Sequence, residues 1–460
     1  MAAKRPPIQL ELDLPTPGRG EAPRPDPAEV EAAAARRANE SPAWTDRLME
    51  AICETENVET AARAVMRNKG APGVDGLAVV QLPELLAKRW PQIARELVED
   101  RYRPQPARRV RIPKPDGGER ALGIPTVLDR MIQQAILQRL QPEWDATFSE
   151  HSFGFRPGRS AHQAVAAAQA YVMAGHEHVV DIDLAKFFDR VDHDRLMAQV
   201  AKRVTDKRVL RLIRGFLTAG ALDNGIFEDS REGTPQGGPL SPLLSNLVLD
   251  ELDRELERRG LAFVRYADDC NIYVRSRKAA ERVMISVTRF IERRLKLAVN
   301  EAKSAVDRPW NRSFLGFTLR PREGFPRAVA AKAVDRFKQR ARKLTGRNRG
   351  VNLKRMIDDL NPLLRGWAGY FGFSEGCELG DLDGWIRRRL RSAQWTQWKT
   401  FAKRLAELKR RGVANTAAYA ASNSPKGPWR LSLSNALHRA LSNRAFRNAG
   451  LVFMDEIARA

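Results

Sequence analysis

Between about residues 44 and 68, apolar side chains recur every three to four positions, the spacing of a helix with one buried face. The run stops at Lys69-Gly-Ala-Pro-Gly73-Val-Asp75-Gly76, a glycine-dense loop, and a second helix is predicted over about 81–99. The period then changes. Arg108-Arg-Val-Arg-Ile-Pro-Lys114 alternates as a strand does, Pro115-Asp-Gly-Gly118 makes a hairpin turn, and Glu119-Arg120-Ala-Leu-Gly-Ile continues as the partner strand. Helices are predicted over about 127–140, 192–203, 206–220, 242–259 and 278–296. His178-Val-Val-Asp-Ile-Asp183 has the look of a buried strand, and 262–266 and 271–275 are two strands only four residues apart. Beyond about 330 the pattern is helix upon helix, broken by glycine-rich stretches near 346–350 and 372–384. A mixed α+β part therefore precedes an all-α part. Residues 1–40, rich in proline, alanine and charge, read as a mobile leader ending in a short alanine-rich helix.

Composition supports folded domains: of 460 residues, 43% are apolar and 29% charged. No apolar run approaches the roughly 18 residues of a membrane span, and the first residues lack the apolar segment of a secretory signal. Cys53, Cys270 and Cys377 lie far apart, so neither a disulfide framework nor a structural zinc site is expected. A cytoplasmic setting fits. The net charge of +23 points to a polyanionic partner, and from Ala331 to Ala460 there are 27 Lys and Arg against 10 Asp and Glu.

The candidate chemistry is carboxylate chemistry. Tyr266-Ala-Asp268-Asp269 lies between two apolar strands, where adjacent acids repel and gain little from packing. Alone, the pair is equally a solvated turn. A second acidic strand changes the balance: Asp181 and Asp183 alternate onto one face, and Asp183 stands at the strand's carboxyl end. Asp183, Asp268 and Asp269 together would hold two magnesium ions about 3.5–4 Å apart, with manganese able to substitute, and so support phosphoryl transfer.

The order of blocks resembles the reverse transcriptases encoded by bacterial group II introns, which double as maturases. The blocks are Asn68-Lys-Gly-Ala-Pro-Gly-Val-Asp-Gly76, Ile112-Pro-Lys-Pro-Asp-Gly-Gly-Glu-Arg120, His151-Ser-Phe-Gly-Phe-Arg-Pro-Gly-Arg159, Asp183-Leu-Ala-Lys-Phe-Phe-Asp189, Gly233-Thr-Pro-Gln-Gly-Gly-Pro-Leu-Ser-Pro242, Tyr266-Ala-Asp-Asp269, Asn300-Glu-Ala-Lys303, Phe314-Leu-Gly-Phe317 and Leu360-Asn-Pro-Leu-Leu-Arg-Gly-Trp-Ala-Gly-Tyr-Phe371. The last is similar to the signature of the maturase-specific domain. The resemblance implies a right-hand polymerase: a leader over 1–40, N-terminal extension and fingers over 41–180, a palm with an antiparallel sheet over 181–325, an α-helical thumb and maturase domain over 326–415, and a basic, possibly DNA-binding, segment over 416–460.

The resemblance also implies roles. Lys114 and Arg120 would clamp the incoming triphosphate, Gln236 would sit where backbone approaches the nucleotide, and Lys303 would serve the leaving pyrophosphate. Phe188 would exclude a ribose 2′-hydroxyl, although two successive phenylalanines could equally be core. Arg156 and Arg159 would line the template path, and Phe314, Leu315 and Gly316 would grip the primer end. Arg365, Arg387, Arg388 and Arg391 would meet RNA phosphates. Of the C-terminal tryptophans, Trp395 and Trp398 share a helix face and are candidates for the core. The chain lacks cysteine pairs of a nuclease domain and so resembles the shorter class. The implied partners are a group II intron RNA, an RNA template with a DNA primer, target DNA and deoxynucleoside triphosphates, with no membrane. The function implied is RNA-directed DNA synthesis together with assistance to splicing. The alternatives are a host-adapted relative in DNA repair or phage defence, and a maturase that only binds RNA.

Overall fold

The computed structural model describes residues 43–113, 119–223, 225–230, 232–234, 237–376 and 378–459. The leader and the tip of the first hairpin lie outside them. The chain forms two compact units, one of the described residues up to Ser160 with Val180–Val306, the other of Ala161–Val179 with Asp307–Ala460. Each has its own apolar core.

In the first unit the predicted opening helix is two, Leu48–Cys53 and Thr55–Arg67, because Glu54 takes an extended conformation between them. Arg139 donates to the Ala51 carbonyl at 3.2 Å beside that break. The helix Leu82–Val98 follows as predicted. Strands β1 (Ala107–Pro113) and β2 (Glu119–Ile124) pair antiparallel with Arg108 opposite Ile124 and Pro113 opposite Glu119. The helix Val127–Asp145 starts on a side-chain cap: Thr126 Oγ1 accepts from Asp129 N at 3.0 Å, satisfying one of the open amides of the first turn.

The strand β3 (His178–Ile182) joins a sheet whose order is β6–β7–β3–β8, with β6 at Ala262–Tyr266, β7 at Asp269–Val274 and β8 at Ala305–Asp307. A short hairpin, β4 (Ala221–Asp223) and β5 (Ile226–Glu228), extends the β1–β2 sheet; three-residue strands carry too little alternation to be read from sequence. The helix Ser241–Arg258 buries an almost continuous leucine face in the same core.

The second unit is mainly helical, with one small antiparallel pair, β9 (Phe317–Leu319) and β10 (Arg327–Val329). The sequence reading passed over the helix Ala161–Met173, which packs Val165 into an aromatic cluster with Phe317 and Phe371. Three long helices, Ala331–Leu344, Leu353–Phe371 and Glu378–Gln397, carry the main core. Short helices from Phe401 to the end close over it. Two buried polar side chains latch that closing segment: Asn361 holds Gly450 and Val452, and Asp383 accepts from Met454 N and Asp455 N at 3.1 Å each. Trp395 and Trp398 are both core residues, 1% and 3% exposed, with Arg404 and Arg411 stacked on their rings. Among the described residues, no helix is long and apolar enough to cross a membrane, and Cys53 and Cys270 are free thiols.

Replacing Trp395 by alanine removes the largest fully buried side chain of this unit and should cost about 3–5 kcal/mol, read as a lowered denaturation midpoint. A change below about 1 kcal/mol would place Trp395 outside the core.

Candidate active site

The tip between β6 and β7 is the most constrained point of the first unit. Tyr266 pairs with Asp269 across the hairpin, leaving Ala267 and Asp268 to make the turn. Ala267 adopts a left-handed backbone (φ +56°), which costs an alanine about 1 kcal/mol. It is held there by Arg265, whose Nη1 donates to the Ala267 carbonyl at 2.9 Å. Arg265 is wholly buried and uses its whole fork: Nε and Nη2 to the two oxygens of Asp253 at 2.7 and 2.5 Å, Nη1 also to Asn246 Oδ1 at 3.1 Å, and Nη2 to Ser152 Oγ at 2.7 Å. A second segment is clamped against the same tip. Phe153 N donates to the Arg265 carbonyl at 2.8 Å, Arg265 N to the His151 carbonyl at 2.9 Å, and Asn246 Nδ2 to the Gly154 carbonyl at 2.9 Å. A Cβ on Gly154 would stand 2.2 Å from Ala267 N, so only glycine allows this approach.

Asp183 lies just past the end of β3 and is fixed by the block that begins at Asn300. Asn300 N donates to the Asp183 carbonyl at 2.8 Å, Asn300 Nδ2 to Asp183 Oδ1 at 3.0 Å, Ser304 Oγ accepts from Asp183 N at 3.0 Å, and Lys303 Nζ lies 3.4 Å from Asp183 Oδ2. One carboxylate oxygen is therefore oriented by an amide and the other faces a cation. The acids of β3 and of the hairpin act on one another. Burial, then the charges of Asp268, Asp181 and Asp183, push Asp269 up to about 7, with Lys303 opposing. By accessible surface Asp269 is exposed, so the crowding of like charge is the cause that bears on cation binding.

Among the described residues, no three Asp, Glu, His or Cys side chains are drawn close enough to form a finished metal cluster. The donor set nevertheless fits a hard divalent cation: carboxylate oxygens only, whose like charges raise the pKa of Asp269 although Lys303 opposes them.

The remaining expected residues are distributed as follows. Lys114 and Gln236 lie outside the described residues; Arg120 lies on β2, opposite Ile112. Phe188 is half-buried, edge-on to the buried Phe187 at 5.2 Å, and its carbonyl accepts from Thr234 N at 2.6 Å, which ties the 233–234 loop to the Asp183 turn. Arg159 pairs with Glu150 and stacks on Phe153 near the surface. Arg156 differs from expectation. Its side chain is 3% exposed and every nitrogen is spent on Asp145 or on the carbonyls of Asp145, Ser149 and Ser152, so it braces its own loop and presents nothing to a template phosphate.

In the second unit, Phe314, Leu315 and Gly316 make a tight turn closed by mutual backbone bonds of 2.9 Å between Phe314 and Phe317, with Tyr370 donating to the Leu315 carbonyl at 2.8 Å. Arg365 is exposed, and Arg387 and Arg388 are half-buried. Arg391 is largely buried: its Nε donates to the Leu441 carbonyl at 3.0 Å, its Nη1 lies 3.3 Å from His438 Nε2, and desolvation, then repulsion from Arg387, lowers its pKa to about 10, which leaves it cationic at neutral pH.

Sequence reading assigned no role to Arg265, Asn246, Asp253 or Asn300. A signal was present: Asn246, Asp250 and Asp253 stand at i, i+4 and i+7 on a leucine-rich helix, one polar stripe on a buried face, which requires a buried partner.

An acid-tipped hairpin beside a third acid, in a four-stranded sheet backed by helices, defines the palm of a right-hand polymerase. The chain belongs to the reverse transcriptases: the family described as reverse transcriptase (RNA-dependent DNA polymerase) matches residues 112–319, and the group II intron maturase-specific domain matches 334–412. Protein YkfC of Escherichia coli (strain K12) is 36% identical over 300 residues, covering 56% of this chain and 79% of YkfC. The group II intron-encoded protein LtrA of Lactococcus lactis subsp. cremoris is 34% identical over 220 residues, 48% of this chain and only 36% of LtrA. Among solved structures, a chain of a partial Cas6-RT-Cas1–Cas2 complex overlays with a TM-score of 0.35 at 24% identity, covering 54% of this chain and 42% of that one.

Two outcomes follow for this site. Arg265→Met strands Asp253 without its counter-charge and should cost about 3–5 kcal/mol in chemical denaturation, while Arg265→Met with Asp253→Leu should recover much of the loss; equal losses in both would deny the pairing. Because the folded pKa of Asp269 lies above its ordinary value, Asp269 supports folding while protonated and that support is lost as pH rises through about 7. Without divalent cations, Asp268→Asn should therefore raise the melting temperature more at about pH 8 than at about pH 5. The same shift at both would show that the acids do not interact.

Proposed function

We propose that this protein is an RNA-directed DNA polymerase that also binds a group II intron RNA, assisting its splicing and copying it into DNA. The observation that carries the reading is the convergence of Asp183 with the Asp268–Asp269 tip, close enough for their charges to raise the pKa of Asp269. Asp183, Asp268 and Asp269 would hold magnesium, which when bound lowers the pKa of an attacking 3′-hydroxyl and offsets the charge of the departing pyrophosphate. Asn300 fixes the Asp183 carboxylate for that task. Lys303, paired with Asp183 at 3.4 Å, would neutralise or protonate the leaving group.

The remaining roles follow from the family. Lys114, Arg120 and Gln236 would address the incoming deoxynucleotide, and Phe188 would press against its sugar and reject a 2′-hydroxyl. Arg159 would meet the template, and Phe314, Leu315 and Gly316 the primer end. Fingers, palm and thumb would span 41–180, 181–325 and 326–415, and the segment 416–460 would contact target DNA. The maturase-specific match and the basic excess over residues 331–460 support RNA as the partner there. A cytoplasmic location suits such substrates.

Primer extension on an RNA template with magnesium and deoxynucleotides tests the reading. Wild type should synthesise DNA; Asp268→Ala should lose synthesis by at least about a hundredfold while RNA binding stays within about twofold. Synthesis that survives Asp268→Ala would remove the acid cluster from the chemistry.

A further inference from the structure

Within the second unit, the loop after Ala331–Leu344, the middle of Glu378–Gln397 and the short helix Pro428–Leu431 enclose a hollow of about 220 Å³. Arg342, Arg347, Arg389, Trp385, Trp429 and Ser392 line it. We propose that this hollow binds a single nucleotide of an RNA strand, its phosphate held by Arg342, Arg347 and Arg389 and its base laid on Trp429. The choice of RNA rests on the reading that the chain binds an intron RNA; the charge and the stacking surface do not.

Among the described residues, acids near this hollow pair elsewhere: Asp359 takes Arg349 at 2.7 Å and Arg355 at 3.0 Å. Arg342, Arg347 and Arg389 have no such partner among the described residues. Burial, then repulsion from Arg342 and Arg347, lowers the pKa of Arg389, the mark of a cation cluster without a counter-charge. A phosphate supplies that charge, and guanidiniums recognise it in a fork geometry.

The site is also built in advance. Arg389 Nε donates to Thr345 Oγ1 at 2.6 Å and its guanidinium lies 5.2 Å from the Trp385 ring, so little freedom is lost when it takes a phosphate. Ser392 is 2% exposed, yet its hydroxyl has no hydrogen-bond partner among the described residues. A buried hydroxyl costs free energy until it is satisfied, and a ligand oxygen can satisfy it.

The base position follows from Trp429. The residue is 38% exposed, and the Arg388 guanidinium lies over its ring at 3.9 Å. A base on the opposite face would extend an existing stack, the mode by which proteins hold unpaired bases. A duplex offers no free base face, so the occupant is a flipped-out or single-stranded nucleotide.

Calorimetric titration of the full chain, in EDTA so that the acid cluster holds no cation, tests the proposal with adenosine 5′-monophosphate and ribose 5-phosphate. The mononucleotide should bind about tenfold more tightly than the sugar phosphate, the worth of one stacked base. Arg347→Gln should weaken both by about tenfold, and Trp429→Leu should bring the mononucleotide to the level of the sugar phosphate. Arg342→Gln repeats the first arm should Arg347→Gln lose its circular-dichroism signature. Equal affinity of the two ligands for wild type, or folded variants that bind as wild type does, would overturn the site. Intron RNA binding and primer extension by wild type are measured on the same preparation. If both are present and the mononucleotide does not bind, the hollow alone is rejected. If the mononucleotide binds in the predicted pattern and the RNA does not, the assignment of RNA as its ligand is rejected.

Discussion

A single buried guanidinium sets the geometry of the acid cluster. Arg265 has no solvent exposure, and neither has its partner Asp253. An unpaired charge at that depth is prohibitive, so every group around it is under obligation to meet it. The obligation runs in three directions: down to Asp253 and Asn246 on the helix behind the sheet, across to Ser152 in the neighbouring loop, and forward to the carbonyl of Ala267. Through the last of these, a turn that alanine would not choose becomes the only turn available. Asp268 and Asp269 are thereby presented together, on a rigid two-stranded stem, and not on a loop able to relax their repulsion.

The two units carry opposite forms of one tension. In the first, carboxylates are crowded until Asp269 resists ionisation; in the second, Arg342, Arg347 and Arg389 are gathered with no ion-paired acid among the described residues. Either arrangement weakens the isolated fold, because like charges held at fixed distance repel in the native state more than in the open chain. Such local weakness is retained where a ligand of the other sign completes the structure. A cation at the acids and a phosphodiester at the arginines would be complements of the two charge patterns.

Much of this was legible in the sequence, for identifiable reasons. The strand β3 and the β6–β7 hairpin were found because acids interrupt apolar alternation there, and interruption is a strong signal. The β1–β2 pair was found because its turn residues are unmistakable. The helix Ala161–Met173 was missed: an alanine-rich segment has weak periodicity, and its place among aromatic residues is set by the tertiary fold. The strands β4 and β5 were too short to register. Arg265 was passed over because an arginine inside an apolar strand reads as a surface interruption until its partner is known. Its partner stripe on the helix Ser241–Arg258 was visible, but nothing in a linear sequence pairs one stripe with one arginine.

The run Trp385-Ile-Arg387-Arg388-Arg389-Leu-Arg391 shows why charge counting overstates a binding surface. Successive helix positions turn by about 100°, so four arginines in five residues cannot share a face. Arg391 is buried and bonds the Leu441 carbonyl, Arg388 lies over Trp429, Arg389 braces the end of the helix Ala331–Leu344 through Thr345, and Arg387 rests against Phe453. Each therefore has a distinct neighbour, and the guanidiniums act as packing elements whose residual charge is aimed by what they pack on. The net charge of +23 brings a polyanion to the surface. Which arginine then meets which phosphate is decided by aromatic rings and helix ends that fix only some of those charges to face outward.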